Sequence, residues 1–327
     1  MLDRAYGALV GGAIGDAMGM PASFLTRAQI RNTYGYIHDF LEPEKSVQDK
    51  HGDLKAGEIT DDTMESIIIA HVIIENNGFS AEAFNSRMRE WAIENKMLET
   101  TVIGPSTRRY LTAIINGDDP VKTAGQGVTN GSAMRVAPVG VKYHDDFEGC
   151  LKAALASSLP SHGSKPAAAA ACAVAAAVSG GVHGGYSVNE ILNMAYEGAK
   201  YGEERGADIT APSVARRIRY IDRIVDGAGS ADMSDIMDEV VGIFGSSMFS
   251  YESVPVALAA FYAAKGNGRD GVLAAINAGD DADTNGAICG NICGAYSGAS
   301  SFPDEWKNRV QKTSSIDMES LAEQLLK

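Results

Sequence analysis

Apolar residues recur along this chain at spacings of three and four, the rhythm of helices packed on one face, and not at the spacing of two that strands show. The rhythm predicts helices over 3–19, 62–77, 80–95, 105–116, 147–158, 166–179, 187–201, 213–226, 232–244, 253–265, 268–278, 284–299 and 316–326. No run of four to eight residues alternates, or concentrates β-branched side chains, as a strand would. Breakers such as ENNGFS, NGDDP, SGGVHGGYS, DGAGSAD and KGNGRDG separate the periodic segments. The stretch from Ile30 to Gly57 has no clear period and reads as a lid or a mobile loop. No shift of composition marks a boundary, so a single all-α domain over 1–327 is expected.

Two segments are apolar around most of the helix. In TDDTMESIIIAHVIIENNG the residues Ile67, Ile68, Ile69, Val72, Ile73 and Ile74 cover most of the circumference. KPAAAAACAVAAAVSGG is apolar on every side, with Pro166 suited to a first turn. Both belong at the centre of a large helical assembly. Two further helices carry glycine at every fourth position: Gly7, Gly11, Gly15 and Gly19 in the first, Gly286, Gly290, Gly294 and Gly298 in the second. Residues four apart share a face, so each helix presents a ridge without side chains. Each such glycine costs about 0.5–1 kcal/mol relative to alanine, a burden that close helix–helix packing must offset.

Acids gather where these elements begin. GEITDDTMES places Thr60, Asp61, Asp62 and Thr63 before the isoleucine-rich helix, and DDADT places Asp280, Asp281, Asp283 and Thr284 before the late glycine helix. N-capping explains one Asp or Thr at a helix start, through free backbone N–H groups and the helix dipole. Two clusters of acids facing buried helices exceed that need, because like charges repel and burial is costly. A divalent cation would resolve the repulsion, and oxygen-only donors favour Mg²⁺ or Mn²⁺ over Ca²⁺.

Composition then narrows the partners. A formal charge of −14 argues against nucleic acid or an anionic membrane, both of which demand basic surface. Cys150, Cys172, Cys289 and Cys293 form no disulfide framework, and the last two suit small core positions. The first residues open with an acid and include Asp16, unlike a secretory signal, and no run is long enough to span a bilayer. A cytoplasmic protein is expected. SVARRIRYIDRIV sets Arg216, Arg217, Arg219 and Arg223 on a basic helix, read as a solvated face paired to neighbouring acids. Tyr34, Tyr36 and Phe40 read as anchors of the aperiodic loop, with base stacking the alternative.

Taken in order, GALVGGAIGDAMGMP, GEITDDT, TNGSAMRVAPVG, SHGSKPAAAAA and GDDADTNGAICG resemble the ADP-ribosylglycohydrolase family over roughly residues 4 to 300. The resemblance implies an all-α fold, a compact orthogonal bundle of about thirteen or more helices, with two Mg²⁺ or Mn²⁺ ions. It implies Thr60, Asp61, Asp62, Asp281, Asp283 and Thr284 as metal ligands, with Asp61, Asp62 and Asp283 in catalytic roles. It further implies that Asn130, Gly131, Ser132 and Met134 meet a ribose or diphosphate, and that His162 is a phosphate donor. Arg135 reads equally as a ligand contact and as the partner of a core carboxylate. The implied activity is hydrolysis of a ribosyl glycosidic bond, most simply ADP-ribosyl on a protein or small-molecule acceptor, by water at the anomeric carbon.

The chain departs from the family pattern at one position beside the expected metals. A glutamate commonly lies seven residues after the Asp of GDAMG, where this sequence has Ser23. An acid of the 39–58 loop (Asp39, Glu42, Glu44, Asp53 or Glu58) is expected in its place, or a different reaction. Val102 stands where arginine-specific members carry an acid, and GMP followed by Arg27 resembles bacterial members of unsettled substrate. Two other functions therefore stay open: a nucleoside or nucleotide-sugar N-glycosidase, and a catalytically weak binding or structural relative.

Overall fold

Helices that touch backbone to backbone need a face with no side chains, and this chain supplies that face twice. In the computed structural model, which describes residues 1–48 and 50–327, the first helix (Leu2–Gly19) lies antiparallel to a late helix (Ala282–Ser297). Gly7 seats on the carbonyl of Gly294, Gly11 on that of Gly290, Gly15 on that of Gly286 and Gly19 on that of Ala282. A methyl group at any of these would fall on the opposing carbonyl oxygen. Gly298 touches Gly7 at the foot of this seam, but its own Cα faces the Asp3 carboxylate and not a carbonyl. It terminates the late helix with φ +83°, a left-handed conformation that glycine adopts without strain.

The alanine-rich segment forms the helix Lys165–His183, buried from Pro166 to Val182. It is long and apolar enough to cross a bilayer, yet it is enclosed by protein. Its small side chains admit the helix Val188–Glu203, whose Gly198 and Gly202 seat on the carbonyls of Cys172 and Ala168. The helix Asp61–Asn76 is less enclosed than expected: Ile69, Val72 and Ile73 are buried, whereas Ile67, Ile68 and Ile74 are half-buried. All four cysteines are buried and free, with the sulfurs of Cys289 and Cys293 3.7 Å apart.

Nineteen α-helices and no β-strand occur among the described residues. Expected helix 147–158 is Phe147–Ser158, and most others agree to within a few residues. Expected helix 213–226 is two, Val214–Ile218 and Ile221–Gly227. Near the break Arg217 donates to the carbonyls of Phe244 and Tyr251, at 2.8 and 2.7 Å, and Arg219 and Arg223 lie over the rings of Tyr196 and Tyr220. The basic stretch is thus held by carbonyls and aromatic faces, not by the expected acids. The aperiodic 30–57 stretch overlaps a helix, Arg27–Tyr34, started by a capping box between Thr26 and Gln29. Tyr34 donates to the Pro21 carbonyl and Phe40 is buried, so both anchor the loop beyond.

Gly290→Ala is expected to destabilise the protein by at least about 2 kcal/mol, although alanine is the better helix former. Gly242 lies exposed in the helix Met233–Phe244 with open space where a Cβ would go. Gly242→Ala should therefore stabilise by about 0.5–1 kcal/mol. Urea denaturation of the two variants beside the parent protein measures both signs.

Candidate active site

The antiparallel seam brings the C-terminal end of the first helix to the N-terminal end of the late one. Asp16, in the last turn of the first helix, is fully buried there and reaches across to a third helix. Its carboxylate accepts from the backbone N–H of Thr60 (3.0 Å) and of Thr63 (3.2 Å) and from the Thr63 hydroxyl (2.5 Å). It thereby caps the helix Asp61–Asn76 from outside and fixes the start of that helix beside Asp281 and Asp283. Thr60 itself takes the ordinary N-cap role, its hydroxyl accepting from the Asp62 N–H.

Asp61, Asp62, Asp281, Asp283 and Thr284 line one cavity of about 50 Å³. Asn130, Gly131 and Met134 of the TNGSAM segment line it too, as do Phe24, His51, Val102, Thr107, Thr129 and Met248. Short backbone bridges hold these loops together. Asp280 N–H donates to Leu25 O at 2.7 Å and Phe24 N–H to Asp280 O at 2.5 Å, which forces positive φ on Phe24 (+66°) and Asp280 (+55°). Asn130 N–H donates to Met248 O at 2.9 Å, and Ser250 N–H to Val128 O at 3.0 Å. The Asn130 side chain donates to Asp281 Oδ2 at 2.6 Å.

Sequence reading places two residues at the cavity that the structure keeps away from it. Ser132 is fully buried, its hydroxyl donating to Ala167 O at 3.3 Å. His162 stands behind Gly131, with both ring nitrogens taken: Nδ1 lies 2.8 Å from Ser161 Oγ and Nε2 3.0 Å from Thr129 Oγ1. It cannot face a phosphate. Burial, with the charges of Arg135 and Arg109, pushes its pKa well down, so the ring is neutral. Arg135 resolves as a core partner, fully buried against Glu65 (2.5 Å) and donating to Ser157 O and Ser161 Oγ. Glu65 lies one turn after Asp61, so a continuous polar chain runs from the acid helix through Arg135, Ser161 and His162 to Thr129 in the cavity wall.

Among the described residues, none of the five acids expected from the 39–58 loop lines the cavity. Asp39, Glu42, Glu44 and Asp53 are exposed, and Glu58 accepts from the Lys55 N–H. The loop instead brings in His51, a residue the sequence reading passed over because nothing local marks it. Arg27 is likewise structural, donating to Asn277 O and Ser234 and pairing with Asp238.

Burial dominates the electrostatics of the acids. It raises Asp61 well above the carboxylate range, with Glu65, Asp283 and Asp16 adding repulsion, and raises Asp62 likewise, with Asp16, Asp283 and Asp61 adding. Asp281 is pushed up to about 7 by burial and Asp283, and Asp16 to about 6 by burial despite its hydrogen bond from Thr63. Asp283 is the exception. Burial raises it, but His51, Ser23 and the Thr284 N–H outweigh that and hold it low.

No three His, Cys, Asp or Glu side chains among the described residues stand as a ready-made metal cage. The carboxylates are turned to protein donors instead, Asp281 to Asn130 and Asp283 to the Thr284 N–H. The donor set nevertheless fits a hard divalent cation: buried, mutually repelling oxygens, with Asp62 Oδ2 left unpaired.

A raised carboxylate pKa means that the fold favours the protonated acid. For Asp281 that stability is complete below about pH 4 and is lost as pH rises through about 7. With chelator present, Asp281→Asn should therefore raise Tm by about 2 °C or more at pH 8, and by much less at pH 5. Scanning calorimetry at the two pH values reads the difference.

Comparison with known proteins bears on the whole chain. The ADP-ribosylglycohydrolase family model matches residues 1–327. A protein of Archaeoglobus fulgidus described as uncharacterized is 32% identical over 306 residues, 94% of this chain and 91% of that one. The ADP-ribosylarginine hydrolase Tri1 of Pseudomonas putida is 27% identical over 336 residues, covering 99% of this chain and 78% of the other. Among solved structures, an ADP-ribosylglycohydrolase-related protein complex superposes with a TM-score of 0.75 at 25% identity, covering 99% and 97% of the two chains.

Proposed function

Since the chain belongs to the ADP-ribosylglycohydrolase family, a family of glycosidic-bond hydrolases, we propose that it cleaves a ribosyl glycosidic bond, most simply ADP-ribosyl on a protein or small-molecule acceptor, with two Mg²⁺ or Mn²⁺ ions. One observation carries this reading: two helix starts rich in acids and threonine meet at a single cavity that the TNGSAM segment also lines.

Thr60, Asp61 and Asp62 from one helix start, with Asp281, Asp283 and Thr284 from the other, would hold the ions. When bound, divalent cations supply Lewis-acid charge and lower the pKa of a water in the cavity. The chain's own groups do the rest. Asn130 fixes the Asp281 carboxylate through its 2.6 Å hydrogen bond. Met134 and Gly131 offer an apolar and a bare surface on which a ribose can lie. Asp61 and Asp62 stand in the cavity wall, where a carboxylate can accept a proton from attacking water. Asp283, held low, stays ionised and faces the positive charge that develops on the ribosyl ring. Asn130 N–H is committed to Met248 O, so it is not a free donor to a diphosphate.

A second reading is favoured by the size of the cavity. About 50 Å³ holds little more than a water, whereas nucleotide-sized ligands occupy several hundred. A nucleoside, which lacks the diphosphate and second sugar, disturbs the Phe24 and His51 wall least. It also accords with Ser23 in place of the family's glutamate.

Thermal denaturation with Mn²⁺, with and without ADP-ribose or adenosine, separates the readings. Mn²⁺ at about a hundred times its Kd should stabilise by about 2.7 kcal/mol, and Asp283→Ala should abolish the gain without loss of helicity by circular dichroism. Further stabilisation by ADP-ribose only with Mn²⁺ present supports the ADP-ribosyl substrate; stabilisation by adenosine alone supports the smaller one. No response to either metal sinks the metal-dependent mechanism.

A further inference from the structure

Among the described residues the cavity wall holds one basic side chain, and no hydrogen bond of good geometry reaches it. His51 is 3% exposed and faces the space shared by Asp61, Asp62, Asp281 and Asp283. Its backbone is bolted down by Gln48, whose amide donates to Ser23 O at 2.6 Å while its oxygen accepts from the Lys50 N–H at 2.9 Å. The Phe24 ring lies against the imidazole with centroids 6.1 Å apart and planes inclined by 28°. The Phe24 backbone is itself tied to Asp280 through its N–H, which places the ring beside the imidazole.

Neither ring nitrogen completes a hydrogen bond among the described residues, and neither does Asp62 Oδ2. Buried polar atoms are nearly always paired. An unpaired nitrogen and an unpaired carboxylate oxygen in the same acid-lined cavity are an arrangement that a cation completes. The distances agree. His51 Nε2 is 3.2 Å from Asp283 Oδ2, yet out of line for a hydrogen bond. Two donors each about 2.1 Å from one ion, at about 90–110° to each other, stand about 3.0–3.4 Å apart.

We propose that His51 Nε2 is a ligand, adjacent to Asp283, of one divalent cation in this cavity, and that the nitrogen biases the site toward Mn²⁺, Co²⁺ or Zn²⁺ over Mg²⁺. The proposal rests on the metal-dependent reading above and adds to it a donor that the oxygen clusters do not contain. Imidazole suits the borderline transition ions, whereas Mg²⁺ takes oxygen donors and keeps its waters.

The test is pulsed electron paramagnetic resonance of Mn²⁺ bound to the full-length protein, which reads nitrogen coordination directly. Nitrogen modulation is expected in the wild type, shifting to ¹⁵N frequencies in protein grown with ¹⁵N-histidine. His51 is the one histidine lining the cavity, so His51→Gln should remove the modulation and lower the Mn²⁺-to-Mg²⁺ affinity ratio, measured calorimetrically, by about tenfold or more. Bound Mn²⁺ without nitrogen modulation overturns the proposal and leaves the oxygen-only site standing. No Mn²⁺ binding by the wild type removes the metal reading itself. If His51→Gln fails to fold, the isotope comparison in the wild type decides alone.

Discussion

Backbone contact between the first helix and the late one is the constraint on which the site depends. Seven glycines without Cβ atoms (Gly7, Gly11, Gly15, Gly19, Gly286, Gly290 and Gly294) let carbonyl oxygens of one helix rest on Cα atoms of the other. Their helical cost is offset by dense dispersion contact and by weak Cα–H···O interactions along the seam. Spacing of four fixes which glycine meets which carbonyl, so the register is set to a residue. That register puts Asp16 beside Asp283, and Asp16 in turn holds the start of the helix that bears Asp61 and Asp62. One contact thus aligns three helices at their charged ends.

The same alignment creates an electrostatic problem that the fold solves only in part. Asp16, Asp61, Asp62, Asp281 and Asp283 are all buried, and their repulsion is relieved by backbone N–H groups at helix starts, by Asn130 and by His51. Arg135, the obvious neutralising charge, is engaged by Glu65 and held away from the cavity. The loops that close the site carry backbone strain at Phe24 and Asp280, a burden that surrounding packing must support. Unrelieved charge and strain of this kind gather at functional sites, where surrounding packing supports them.

Much of this was legible in the chain because it rests on local rules. A glycine at every fourth residue announces a bare helix face, and acids with threonine at two helix starts announce where charge gathers. The spacing also takes in Gly298, which continues the rhythm but serves as the helix terminator. His51 and Phe24 were illegible for a different reason. Their positions come from Gln48 reaching Ser23 and from the Leu25–Asp280 bridge, contacts between segments distant in sequence. His162 and Ser132 show the converse: a motif neighbour of the cavity can serve as its support, one layer back, and the sequence does not distinguish the layers. The break in 213–226 follows from tertiary carbonyls that capture Arg217, which local periodicity cannot reveal.

The seam also bears on how the chain reaches this structure during its synthesis. Gly15 and Gly286 are about 270 residues apart. At roughly 5–20 residues per second, the ribosome needs roughly 15–50 s to complete the partner of a helix it made first. Throughout that interval the N-terminal helix has nothing to cover its stripped face, and the acids of the site have no common address. The acids of the site therefore meet only after the late helix has been made, and until then the bare face of the first helix has no carbonyls to rest on.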